Sequence, residues 1–468
     1  MKKGILIFSS LLYFLLPQIS LAHSFGVSYN LPVPLWMYMY GGIATMVVSF
    51  LFVGYFFNKK SESLTYPKLN LSKFSFFGRL THPSFLTALK IISVVLFLFT
   101  ILTGLIGEDS SYSNFNMTFF WIVFVLGLTY ATALFGNIYT IINPWKTITE
   151  WLVGKENQKI IKYPESFGYY PALIFYFVFI WIELLGHTTP LRLSLILIIY
   201  TILNDLGVMF LGKEIWFKYC EFFSVFFRLI SKLAPIEYKS GKLYLRLPFL
   251  GLLKEKAEYF SLILFILFML SSTAFNGFKE TLPWSRFYFG YVDDVLGPIL
   301  GSASYPVFET IGLLTFLGIF LGVYLLLIGL AKKTAKSSAP FQDLASCFIF
   351  SLIPIALVYN IAHYYTLIFS QGFHIINLIS DPFGFGWNLF GTANSFSSII
   401  VGANFVWHSE VAFILIGYIV SVYLAHIIAL NVFPKGKEAF WSQLPMLTMM
   451  ICYTMLGLWI LSAPLTRN

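Results

Sequence analysis

The chain has 468 residues, of which 58% are hydrophobic and only 11% are charged. Soluble globular proteins carry about 25% charged residues, and a soluble core of this length cannot hide so much apolar surface, so the composition excludes a soluble protein. The net charge of +9 would suit a nucleic-acid partner, but in a membrane protein Lys and Arg gather in cytoplasmic loops and set the orientation. We therefore expect the lipid bilayer, and no nucleic acid, as the partner.

The N-terminus has the pattern of a secretory signal peptide. A basic start is followed by a short apolar run over residues 5–16 and by the small residues of Ser20-Leu21-Ala22. We predict cleavage after Ala22, which makes residues 1–22 a signal peptide and His23 the new N-terminus. An uncleaved anchor is the alternative, and the shortness of the apolar run argues against it.

Ten apolar segments then approach the length of about 20 residues that a membrane span requires. They predict an all-α, polytopic helix bundle that forms a single transmembrane domain over residues 23–468, with both ends periplasmic. The segments are 35–57, 89–106, 117–137, 170–186, 191–211, 257–274, 307–331, 345–370, 407–432 and 440–463.

The positive charges support this topology loop by loop. The loops predicted to be cytoplasmic hold 23 Lys and Arg residues, whereas the loops predicted to be periplasmic hold 4. Cytoplasmic loops carry such an excess in multi-pass proteins. The bias therefore predicts a multi-pass protein of the bacterial inner membrane.

Two loops have a pattern of their own. In the inner loop, residues 213–250 combine charges at helical spacing with aromatic residues, and then alternate around Ser240-Gly241. They predict a helix lying in the cytoplasmic interface, followed by a small hairpin. In the outer loop, residues 371–406 include "DPFGFGWNLFGT", which predicts a re-entrant or interfacial segment held by aromatic residues.

Ionisable groups inside membrane spans are energetically expensive and mark functional sites by default. Several such groups fall near the predicted periplasmic boundary. Imidazole and carboxylate groups at one level suit a divalent metal such as zinc, or a proton relay. The candidate metal ligands are His363, His408, His187, Glu309 and His23, and the candidate catalytic carboxylates are Glu183 and Glu410. Glu183 and His187 are four residues apart, so a continuous helix would place them on one face.

Two further hypotheses concern residues outside this group. Asp205 and His426 lie at a similar depth toward the cytoplasm, so they would form a proton relay if their helices touch. If the signal peptide is cleaved, the free amine and the imidazole of His23 would chelate copper with the help of another histidine. The alternative for every one of these residues is an ordinary polar side chain with a satisfied hydrogen bond.

Several stretches together resemble a family of bacterial polytopic membrane proteins known as fenitrothion hydrolases. The stretches are "AHSFGVSYNLPVPLWMYMYGG", "INPWKTITEW", "YPESFGYYPALIFYFVFIWIELL", "AHYYTLIFSQG" and "SDPFGFGWNLFGTA". The family pattern has an Ala-His-Gly-Phe-Gly start, an Asn-Pro-Trp-Arg turn and an Ala-His-Tyr element. The matching positions are His23, Asn143, Pro144, Trp145 and His363, while Ser24 replaces a glycine and Lys146 replaces the arginine.

The resemblance implies a membrane-bound hydrolase that releases a nitrophenol from an organophosphate triester. It carries no catalytic residues over to this chain. A divalent metal, zinc or copper, would supply the activated water for such a reaction. Two other functions stay open: a transporter or metal-handling permease, and a non-catalytic subunit that works with a second membrane or periplasmic chain.

Overall fold

A computed structural model describes residues 33–56, 68–154, 160–433 and 436–462. The predicted signal peptide and His23 lie outside the described residues. The predicted fold class is confirmed: over the described residues the chain is an all-α multi-pass bundle in which ten helices are long and apolar enough to cross a membrane.

These ten helices are numbered here in chain order, and shorter elements are named by their residues. Helices α1 to α10 are Leu35–Phe56, Pro83–Ile106, Phe115–Phe135, Tyr170–Leu185, Pro190–Leu211, Phe260–Lys279, Ser304–Thr334, Ile353–Ser370, Ala403–Val432 and Gly436–Ser462. The end of the bundle at which α4 finishes is the one that the charge bias predicts to be periplasmic, and it is called the outer end below.

Helix α6 is the centre of the bundle. It is buried over 83% of its apolar length, because α4, α7, α8 and α10 all pack against it. Helices α1, α9 and α10 pack together on one side, and α2 and α5 pair on the other. A polar side chain near the outer end of α6 is therefore surrounded by other helices.

Short helices and turns connect the spans. The short α-helices are Ser75–Leu80, Tyr139–Ile142, Pro144–Leu152, Lys213–Ile215, Phe222–Ile230, Leu282–Phe287, Asp293–Leu300, Phe341–Phe348 and Ile375–Ser380. The short π-helices are Trp216–Cys220 and Tyr288–Val292. The 3₁₀ turns are Leu71–Lys73, Glu165–Phe167, Ser231–Leu233, Leu250–Leu252, Gly301–Ala303, Ile349–Leu352 and Gly372–His374.

The predicted hairpin is confirmed. Strands β2 (Ile236–Lys239) and β3 (Lys242–Leu245) pair antiparallel around Ser240 and Gly241, which both have positive φ. Such a two-residue turn matches the twist of the strands. Strand β1 (Leu69–Asn70) adds to β3, so the first inner loop and the large inner loop share one small sheet.

The helix expected to lie in the interface is placed differently. Residues 213–233 turn back into the bundle, and within them Phe222–Ile230 packs against α3, α4 and α8. Six of its residues are buried, namely Phe222, Phe223, Val225, Phe227, Leu229 and Ile230. The apolar side chains of this helix face the protein, while Ser224 and Arg228, one turn apart, stay partly exposed. Residues 213–233 are called the re-entrant segment below.

The outer aromatic loop is built around Asp381. The Asp381 carboxylate accepts hydrogen bonds from the backbone amides of Phe385 and Gly386, at 3.0 and 2.7 Å. The backbone carbonyl of Phe383 accepts a bond from the amide of Glu108, and the Phe383 side chain is buried. The loop is thereby fixed to the connection between α2 and α3.

Candidate functional site

A cavity lies between α3, α4, α6, α8 and the re-entrant segment. Its volume of about 50 Å³ is enough for a few water molecules. Along α4 it extends from Tyr176 to Glu183, a rise of about 10 Å. Most of its wall is aromatic or aliphatic, and its polar residues are Thr129, Tyr176, Glu183, Ser272, Thr273, Asn360 and Tyr364.

The local backbone explains why a cavity forms here. Helix α3 is a π-helix over Thr118–Gly127, and the cavity wall includes Val125 and Leu126 from this stretch. π-Helical turns occur frequently at functional sites. On the opposite side, the re-entrant segment contributes Phe222 and Phe223 rather than a full span. The space therefore lies where two helices depart from regular geometry.

Glu183 is the one acidic residue in the cavity wall. Its carboxylate interacts electrostatically with the side chain of Tyr364 on α8, which also lines the cavity. The Asn276 amide nitrogen donates a hydrogen bond to the Tyr364 hydroxyl at 2.8 Å. This leaves the carboxylate with a partner on α8 while it faces the cavity.

The chain of hydrogen bonds continues to His363. The Asn276 amide nitrogen lies 2.8 Å from Nε2 of His363. An amide NH₂ group only donates, so Nε2 accepts and the ring proton is on Nδ1. Asn276 therefore joins Tyr364 to His363, and Tyr364 in turn interacts with Glu183. Asn276 and Tyr364 are neutral residues, so the sequence prediction, which rested on His and carboxylates, did not include them.

Two polar atoms of wall residues have no hydrogen-bond partner among the described residues. The side-chain oxygens of Asn360 and Ser272 are buried and form no hydrogen bond with the protein. An unsatisfied buried acceptor costs about 1–3 kcal/mol. The cavity is roomy enough for a water or a polar solute group to satisfy such an atom.

Lys279 and Glu309 form an ion pair close to these residues. Lys279 Nζ lies 3.7 Å from the carboxylate of Glu309 and donates to the backbone carbonyl of Leu184 at 3.0 Å. Both side chains are largely buried. Glu309, a predicted metal ligand, is therefore the counter-ion of Lys279. Lys279 lies beyond the span predicted over 257–274, and the structure places it in the last turn of α6.

His187 does not share a helical face with Glu183. Helix α4 ends at Leu185 and is capped by Gly186, and His187 then adopts a left-handed backbone with φ of 38°. The expected alignment required a continuous helix through both residues. The side chain of His187 is exposed at the outer end and is absent from the cavity wall.

The two candidates on α9 also lie away from the cavity. His408 Nδ1 is 2.8 Å from the backbone carbonyl of Asn404, and its Nε2 is 3.4 Å from the hydroxyl of Tyr38 on α1. Glu410 is 4% exposed and is not in the cavity wall. These contacts serve the packing of α1 against α9.

Asp205 and His426 stand in different parts of the bundle. Helix α5 pairs with α2, whereas α9 packs against α1, α8 and α10. His426 Nδ1 is bonded to the Gln443 side chain at 2.9 Å, and the buried Oδ1 of Asp205 has no hydrogen-bond partner in the described protein. The structure thus does not show the hypothetical proton pair.

Within the described ranges, no group of three or more His, Cys, Asp or Glu side chains comes close enough to hold a metal ion. The predicted ligands His187, His363, His408 and Glu309 are therefore not gathered into one site, and His23 lies outside these ranges. Comparisons with protein-family models, curated proteins and solved structures find no match.

Proposed function

We propose that the chain is a proton-coupled transporter of the bacterial inner membrane, in which a small solute passes through the cavity beside Glu183. The observation that carries the proposal is the position of this carboxylate: it lines a cavity within the bundle, beside Tyr364, which Asn276 joins to His363 by hydrogen bonds. Carboxylates and histidines inside the membrane take part in proton relays in pumps and transporters.

The re-entrant segment supports the same function. Backbone that interrupts a membrane span is tolerated where it is buried in protein or lines a cavity, and broken helices surround the solute sites of many transporters. Here Phe222–Ile230 contributes Phe222, Phe223, Phe226, Phe227 and Ile230 to the cavity wall. We propose that movement of this segment opens the cavity toward the cytoplasm.

Proton flux into proteoliposomes tests the proposal. Vesicles that contain the purified chain and a pH-sensitive dye are given small organic acids, organophosphates, amino acids and metal salts in turn. We expect at least one solute class to drive proton flux with the wild type and Glu183→Gln to abolish it. Glu214→Gln, which removes an exposed carboxylate, serves as the matched control. Equal flux with Glu183→Gln, or none with any solute, contradicts the proposal.

A phosphotriester hydrolase is the second candidate, and the aromatic wall beside one carboxylate favours it. A neutral, greasy triester suits such a wall, and Glu183 would act as the general base for water. A metal-dependent version would need ligands beyond the described residues, such as His23. The same preparations decide between the candidates, because nitrophenol release from fenitrothion that Glu183→Gln abolishes would favour hydrolysis.

A further inference from the structure

A cluster of lysines lies at the inner end of α2 and α5 and contributes no residue to the cavity wall. Lys90 on α2 and Lys213 just after α5 both reach the carboxylate of Glu150, at 3.4 and 3.2 Å. Lys146 stands on the same short helix as Glu150, Pro144–Leu152, and interacts electrostatically with Glu150, Lys213 and Lys90. Two ammonium groups thus share one carboxylate, and Lys146 stands four residues before Glu150 on the same helix.

The cluster has an excess of positive charge in a partly buried place. Burial lowers the pKa of Lys146; Glu150 opposes this effect, and the charges of Lys213 and Lys90 add to it. Lys213 and Glu150 keep 24% and 16% of their side-chain surface exposed. An anion in contact with the three lysines would relieve their mutual repulsion, and a phosphate group suits ammonium donors.

The surroundings of the cluster are apolar and face outward. Trp151 and Leu152, which directly follow Glu150, are 59% and 69% exposed, and Phe210 near the end of α5 is 45% exposed. Exposed tryptophan beside membrane spans is typical of the boundary between headgroups and acyl chains. A ligand at this place therefore meets ammonium groups on one side and hydrocarbon on the other.

We propose that Lys90, Lys146 and Lys213 bind the phosphate of an anionic phospholipid, whose acyl chains lie against the apolar side chains around Trp151. A lipid satisfies both halves of this surface, whereas free phosphate satisfies only the lysines. The predicted cytoplasmic position agrees, because basic groups near that surface attract anionic lipids. The proposal does not rest on the function proposed for the cavity, although Lys213 is the first residue of the re-entrant segment.

Native mass spectrometry of the full chain tests the proposal. The purified protein is mixed with phosphatidylglycerol or with phosphatidylcholine of the same acyl chains, and the fraction with bound lipid is measured. We expect a preference for phosphatidylglycerol that falls about fivefold in Lys146→Gln and in Lys213→Gln. Lys146→Arg keeps the charge and should keep the preference.

Matched variants distinguish lipid binding at the lysine cluster from non-specific attraction of lipid by the positive charge of the protein. Lys239→Gln and Lys242→Gln remove exposed charges in the hairpin and should leave the preference unchanged. Glu150→Gln should strengthen it about fivefold, because it removes the one negative charge from the cluster. Equal losses in the hairpin variants, or displacement of the lipid by inorganic phosphate at similar concentration, would overturn the proposal. Melting temperatures show whether each variant is folded.

Discussion

The hydroxyl of Tyr200 donates a 2.6 Å hydrogen bond to the carboxylate of Glu221. Tyr200 is in the middle of α5, and Glu221 is the residue at which the re-entrant segment turns back. The same carboxylate accepts bonds from the backbone amides of Phe223 and Ser224, at 3.1 and 2.7 Å. One side chain therefore begins the buried helix Phe222–Ile230 and fixes it to α5.

Glu221→Ala should lower the free energy of unfolding by about 2–4 kcal/mol. The substitution removes the N-cap of a buried helix, which is worth about 1 kcal/mol, and leaves the Tyr200 hydroxyl without its acceptor. Chemical denaturation in detergent measures the change. Glu214→Ala, an exposed residue of the same segment, should change the stability by less than about 0.5 kcal/mol. Equal effects of the two variants would show that Glu221 has no special role.

The Lys279–Glu309 pair should behave as a buried ion pair. Lys279→Met alone should cost about 3–5 kcal/mol, because it leaves a carboxylate buried without its counter-ion. The double variant with Glu309→Gln should recover most of this loss, because no unpaired charge remains. A double-mutant cycle measured by unfolding gives the coupling free energy. Additive losses would show that the two charges do not interact.

The sequence predicted the spans well because each span requires a long apolar run, and this property is local. It also predicted the β2–β3 hairpin, because Ser240-Gly241 suits a tight turn and the flanking residues alternate. Helix ends were harder to predict. Gly186 ends α4 one residue before His187, and this single residue separates Glu183 from the partner that helical spacing suggested.

The arrangement of the site could not be predicted, because it depends on which helices touch. Asn276 and Tyr364 are neutral residues in apolar spans, and nothing local distinguishes them from other buried polar residues. Their role follows from α6 packing against α8, which composition does not encode. The re-entrant segment was misplaced for a related reason: its charges suggested a surface helix, but the residues that decide its burial are the aromatic ones.

Gly104→Ala should destabilise the pairing of α2 with α5. A Cβ atom there would lie 2.0 Å from the Asn116 amide nitrogen and 2.2 Å from the Ser194 hydroxyl. Asn116 is held in place by a 2.8 Å bond to the carbonyl of Pro190, so it cannot move away without losing that bond. We expect a loss of about 1–3 kcal/mol, measured by unfolding in detergent.

Gly41→Ala is the control for this prediction. A Cβ atom at Gly41 meets nothing within 4 Å, and the residue lies inside α1. Alanine has the higher helix propensity by about 1 kcal/mol, so this variant should be neutral or slightly more stable. Destabilisation of the same size in both variants would mean that the crowding around Gly104 is not the cause.

The small inner sheet should loosen in acid through Glu237. Burial alone would raise the pKa of this carboxyl group, but Lys68 and Arg246 outweigh burial and hold the pKa below its ordinary value of 4.5. A lowered pKa in the folded state means that the ionised group stabilises the fold above about pH 4.5, and that this contribution is lost as the pH falls through the lowered value. Hydrogen exchange of the β2 and β3 amides, corrected for intrinsic rates, should therefore accelerate below pH 4.5. In Glu237→Gln the corrected protection should be weaker at neutral pH and should no longer change across this range; an unchanged acid response in this variant would assign the effect to another group.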